Sequence, residues 1–112
     1  MKHKNGVYTE VVAIQNGEKV HLKPSAEIKT AMNIADNLSK SISGKEAVIT
    51  AIFDGKHMVG SKHYEGDAFD MRIYIYTDNQ LKNLLSNLKN NLGSDYDIIH
   101  EPSHIHIEYD PK

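Results

Sequence analysis

The sequence contains no cysteine and no tryptophan, only three prolines, and no long apolar run. Without cysteine there is no disulfide framework, no thiolate zinc finger, no iron–sulfur cluster and no cysteine nucleophile. The longest apolar stretches are 47–53, interrupted by Thr50, and 11–14. Neither approaches the roughly 20 residues of a membrane span. Met1-Lys2-His3-Lys4 is basic, but the apolar segment of about 7–15 residues that makes a secretory signal does not follow it. The expectation is a chain without a signal peptide, cytoplasmic as synthesised. Neither charge dominates: 13 Lys+Arg stand against 15 Asp+Glu, a formal net charge of −2. The lysines are spread along the chain and form no stripe with the tyrosines, which argues against nucleic acid or an anionic membrane as a partner. The 112 residues suit one domain, 1–112, large enough to bury about two thirds of its unfolded surface.

What the sequence does have is histidine, seven in all, five of them between His57 and His106. The elements that carry them follow from patterning. Residues 7–15 read as a strand, Asn16-Gly17 as a hairpin turn, and 19–23 as the returning strand. Ser25 can cap a helix from Ala26 to about Ile42, with Ile28, Ala31, Met32, Ala35 and Leu38 at helical spacing and Gly44 ending it. Residues 47–53 read as a buried strand and 54–66 as a long loop. Residues 68–76 alternate, with Met71, Ile73 and Ile75 on one side and Arg72, Tyr74 and Tyr76 on the other. Asp78 can cap a second helix bearing Leu81, Leu84, Leu85, Leu88 and Leu92, ended by Gly93. Residues 96–100 and 104–109 read as a final strand pair. The order ββαββαββ implies an α+β domain, a mostly antiparallel sheet with two helices packed on one face.

Two segments carry polar chemistry: His57 to Asp70, and His100 to Tyr109. A catalytic zinc takes three His, Asp or Glu ligands and keeps a fourth position for water. It lowers the pKa of that water to about 7, giving a hydroxide nucleophile at neutral pH. A nearby carboxylate then carries the proton to the leaving amine. His104 and His106 are two apart, so on a strand they share a face while Ile105 and Ile107 point the other way. Spacing alone leaves open a plainer reading, in which these histidines decorate surface and loops.

Ser61-Lys-His63-Tyr-Glu-Gly66-Asp-Ala68-Phe-Asp70 resembles the S-x-H-x-x-G-x-A-x-D signature of zinc D-alanyl-D-alanine carboxypeptidases, D,D-dipeptidases and phage L-alanyl-D-glutamate endolysins. His104-Ile-His106-Ile-Glu-Tyr109 resembles their C-terminal H-x-H strand, and His63–Asp70 also resembles the hedgehog signalling domain, which shares the fold. The likeness runs from about residue 45 onward. It implies a hedgehog/DD-peptidase-like fold, one Zn2+ per chain held by His63, Asp70 and His106, and hydrolysis of amide bonds next to D-residues in peptidoglycan stem peptides. Choosing His106 over His104 rests on Tyr109, three residues later. It also suggests a chain that reaches the cell wall through a phage or lysis pathway.

Other residues gain roles by the same likeness. Ser61 would brace the loop and site, or be an ordinary turn serine. Gly66 is expected at positive φ or at a close backbone approach. His57 would donate to the substrate carbonyl, or lie exposed. Arg72 shares a face with Asp70 and would bind a substrate carboxylate, or pair with Asp67. The family often places an acid three residues before the ligand histidine, and here that residue is Ser103. Glu101, held extended by Pro102, becomes the expected general base, with His104 supporting the oxyanion or orienting Glu101. Glu108 and Asp110 read as the solvated end of the strand. The competing reading is a non-catalytic, zinc-stabilised binding domain of the hedgehog type.

Overall fold

A computed structural model describes residues 1–7, 11–15, 17–52 and 66–111. In chain order the elements are β1 (Lys2–His3), β2 (Val11–Gln15), β3 (Glu18–Leu22), α1 (Ala26–Ser43), β4 (Val48–Ala51), β5 (Ala68–Arg72), α2 (Asp78–Leu92), β6 (Tyr96–His100) and β7 (His104–Tyr109). The class is α+β: two helices and a mixed five-stranded sheet of order β1-β4-β5-β7-β6. The β1–β4 pair is parallel and the other three pairs are antiparallel. Strands β2 and β3 form a separate two-stranded sheet around Gly17.

Both helices begin where their caps dictate. The Ser25 hydroxyl accepts from the Ile28 N–H, and Gly44, at φ 72°, closes α1 through its N–H to the Lys40 carbonyl. Glycine takes that left-handed conformation without the steric cost a Cβ brings. The cap of α2 is Thr77 rather than Asp78. Thr77 and Gln80 form a reciprocal capping box, each side chain bonding the other's backbone N–H, which satisfies two otherwise orphaned donors. The Ile28, Ala31, Met32, Ala35 stripe of α1 and Leu84 and Leu88 of α2 are buried in one cluster with Ile49, Phe69, Met71, Ile105 and Ile107 of the sheet. Both helices therefore cover the face formed by Ile49 of β4 and the odd-numbered residues of β5 and β7.

Several boundaries differ from expectation. Strand β5 stops at Arg72, and the chain turns at once, the Tyr76 N–H donating to the Ile73 carbonyl. The turn breaks the alternation: Tyr74 is exposed, whereas Tyr76 is buried with its hydroxyl 2.6 Å from Ser39 Oγ. Strand β1, which no periodicity signals, adds to the sheet as a two-residue parallel partner of β4. The strand expected over 7–15 is shorter, because Val7 lies outside it; residues 8–10 and most of the expected 54–66 loop fall outside the described residues.

A buried carboxylate ties the helix layer to the sheet. Asp36 on α1 accepts from the Ala47 N–H at 3.0 Å, from Lys40 at 2.9 Å and from the Met1 amine at 3.1 Å. Burial alone would raise its pKa, but the hydrogen bonds outweigh that and hold it below 3.8. Removing one partner of a buried hydrogen bond costs about 1–3 kcal/mol, so Asp36→Ala should destabilise the fold by about that much at neutral pH. A group with a depressed folded pKa contributes stability above its unfolded pKa and loses it as pH falls through the folded value. The gap between wild type and Asp36→Ala in denaturant titrations should therefore shrink in acid; a gap of equal size at pH 7 and below pH 3 would contradict this role.

Candidate functional site

The even-numbered residues of β5 and β7 make the face turned away from the helices. The antiparallel register sets Arg72 opposite His104, Asp70 opposite His106 and Ala68 opposite Glu108. On the far side of β7, Ile99 stands opposite His106 and Asp97 opposite Glu108. The hairpin extends this pattern. The Glu101 N–H donates to the His104 carbonyl at 2.9 Å, so Glu101 lies across from His104, two residues on from Ile99. Opposite residues in an antiparallel pair share a face. Three rows result: Arg72, His104 and Glu101; then Asp70, His106 and Ile99; then Ala68, Glu108 and Asp97.

The middle row holds the tightest contact. His106 Nδ1 lies 2.9 Å from Asp70 Oδ1, and both side chains are largely buried. His106 Nε2 lies 3.0 Å from Glu108 Oε1. With a carboxylate on each ring nitrogen, both nitrogens donate, which is the pattern of an imidazolium. The hydrogen bond to Asp70 is the main cause of a His106 pKa raised above 6.5; burial opposes it, and Glu108 adds to it. His104 Nε2 stands 3.7 Å from Asp70 Oδ2, and its Nδ1 shares a 2.9 Å hydrogen bond with Ser103 Oγ. Asp70 thus lies between two imidazoles, with His106 the closer. A bulge beside it sets the small Ala51, rather than Thr50, opposite Asp70; such bulges commonly re-aim side chains next to sites.

The donor types present are ones a divalent metal ion can take. An imidazole nitrogen and a carboxylate oxygen face each other on neighbouring strands. Ligands on one tetrahedral zinc stand roughly 3.4 Å apart, given metal–ligand bonds of about 2.0–2.2 Å, so Asp70 and His106 need part by only a few tenths of an ångström. The expected third ligand, His63, lies outside the described residues, as do His57 and Ser61. Gly66, the end of that segment, does have the expected positive φ, 75°, and its carbonyl accepts from the Ser25 N–H.

The remaining site candidates take distinct places. The Arg72 guanidinium sits 4.7 Å from the centroid of the exposed Tyr74 ring; among the described residues it makes no ion pair with Asp67. Tyr109, the residue used to choose between the histidines, belongs to the opposite face. It packs against Tyr96 at a centroid distance of 5.2 Å and against the core cluster, so its link to His106 is one of sequence spacing rather than contact. Sequence reasoning missed Glu108, although the spacing 104, 106, 108 carried the signal. It also missed that Glu108 has Asp97 and Asp110 beside it, the three offering oxygens all within 4.8 Å of one another. A depression of about 430 Å³ follows the outer edge of β6, lined in part by Lys89, Tyr96 and Ile98, and meets the site face only at Asp97 and Ile99.

Compared with known proteins, the chain matches no family model, no curated protein and no solved structure. No helix among the described residues is long and apolar enough to cross a membrane.

The raised His106 pKa has a sign that can be checked. In metal-free protein its contribution to stability is complete below the unfolded value near 6.5 and is lost as pH rises through the folded value. An NMR titration should give a His106 midpoint above 6.5, moved down in Asp70→Asn. A midpoint indifferent to Asp70→Asn would contradict the pairing.

Proposed function

We propose that this chain is a zinc peptidase of the hedgehog/DD-peptidase type, hydrolysing amide bonds next to D-residues in peptidoglycan stem peptides. The observation that carries the reading is the placement of Asp70 directly opposite His106, their metal-binding atoms 2.9 Å apart on a polar sheet face that also bears His104. The last residue of one motif-like segment and a histidine of the other are thereby neighbours in space.

Asp70, His106 and His63 would hold the ion. When bound, zinc supplies Lewis acidity and a water that ionises near neutral pH. Glu101 takes a proton from the attacking water and passes it to the departing amine as the carbon–nitrogen bond breaks. Its place across the hairpin from His104 supports this role, since it stands on the same face as Asp70 and His106. His104, one row from His106, donates a hydrogen bond to the carbonyl oxygen as negative charge develops there. By the same likeness His57 would contribute to that oxygen and Ser61 would brace the loop; both lie outside the described residues. Arg72, at the end of the Arg72, His104, Glu101 row, meets a substrate carboxylate. The guanidinium fork suits that group, and it lies 4.7 Å from the Tyr74 ring centroid.

A second reading rests on Ser103. It stands where the family often has an acid, is exposed, and is occupied with His104 Nδ1. A non-catalytic zinc domain needs nothing more of that position.

The two readings separate on one set of assays. Zinc-loaded wild type should cleave purified muropeptides. Glu101→Gln should lower turnover by at least about 100-fold, within the usual contribution of acid–base catalysis, while retaining one equivalent of zinc. His106→Ala should lose the metal. Zinc bound tightly with every D-containing bond of a peptidoglycan digest left intact would favour the binding domain; a full equivalent of zinc in His106→Ala would overturn the ligand assignment.

A further inference from the structure

The imidazole of His106 offers two nitrogens, and a metal centre works only if the correct one faces the ion. Here Nδ1 faces Asp70 and Nε2 faces Glu108, 3.0 Å from Oε1. His106 and Glu108 are two apart on β7, so they share a face, and both are largely buried. Across the sheet from Glu108 is Ala68, fully buried and too short to compete for the space between the strands.

We propose that Glu108 is a positioning residue: its carboxylate accepts the Nε2–H of His106, which fixes the ring and presents Nδ1 to Asp70 and to the metal. This rests on the zinc reading above and adds a residue to it. An imidazole held this way is locked in one tautomer, and the carboxylate makes its free nitrogen a stronger donor to a cation. The neighbours of Glu108 fit the assignment. Asp97 and Asp110 bring their oxygens within 4.8 Å of its own, and three carboxylates so close repel one another. The N–H of His106 gives the nearest member a donor at hydrogen-bond distance. Glu108 thus belongs both to the acidic trio and to the hydrogen-bonded Asp70–His106 pair.

The test is a zinc titration against a competing chelator on wild type, Glu108→Ala and Glu108→Gln, with ¹⁵N spectra of the histidine rings in the zinc-loaded and metal-free proteins. Wild type should bind one equivalent with the metal on His106 Nδ1 and a slowly exchanging proton on Nε2. Glu108→Ala should bind about 10–100-fold more weakly, and its Nε2 proton should exchange fast. Glu108→Gln keeps an acceptor oxygen and should recover most of the affinity. Equal affinity in wild type and Glu108→Ala, or metal on Nε2, would overturn the proposal. If wild type binds no zinc, the zinc reading falls, and the metal-free spectra still decide the part played by Glu108: an Nε2 proton lost in Glu108→Ala upholds it, and an unchanged one refutes it.

Discussion

A buried carboxylate is costly unless something positive or hydrogen-bonding stands against it. Asp70, in the middle of β5, meets that condition with the imidazole of His106 in the same row. The pairing does more than offset the cost. A slip of one residue between β5 and β7 would move every side chain of one strand to the other face. Phe69 and Met71 would leave the core, and Asp70 would meet the helices. The apolar odd-numbered face and the polar even-numbered face therefore enforce the same register. That register lines up Arg72 with His104 and Ala68 with Glu108.

Most of the fold was legible in the sequence where a local rule governs. The helix from Ala26 to Ser43, its Ser25 and Gly44 caps, the leucine stripe of α2 and the closing β6–β7 hairpin follow from spacing and capping chemistry. The failures lie where tertiary contacts decide. Strand β1 exists only because β4 offers it a partner. Tyr76 becomes buried because the turn after Arg72 carries it back to Ser39. Asp36 holds α1 to the sheet through partners that sequence spacing does not connect. In the site, the shared face of His104 and His106 was legible, and the direct opposition of Asp70 and His106 was not, since it depends on strand register across 36 positions of chain. Glu108 was passed over because an acid near the end of a strand is ordinarily solvated; its bond to His106 becomes visible only when the ring's second nitrogen is located.

The arrangement has a polarity along the strands. The hairpin end carries Arg72, His104 and Glu101, groups suited to a carboxylate, a carbonyl oxygen and a proton in transit. The other end gathers Asp97, Glu108 and Asp110. His106 joins the two, bonded to Asp70 across the sheet and to Glu108 along its own strand. In the proposed peptidase, a peptide lying on this face would meet its chemistry on the side of the Glu101 hairpin, while Glu108 supports the histidine from behind.

The most direct measurement is X-ray absorption at the zinc edge of the metal-loaded protein. A centre built on Asp70 and His106 should give nitrogen and oxygen neighbours at about 2.0–2.2 Å together with the outer-shell scattering of imidazole rings. A shell of oxygens alone, without imidazole scattering, would put the metal among Asp97, Glu108 and Asp110 and contradict the assignment.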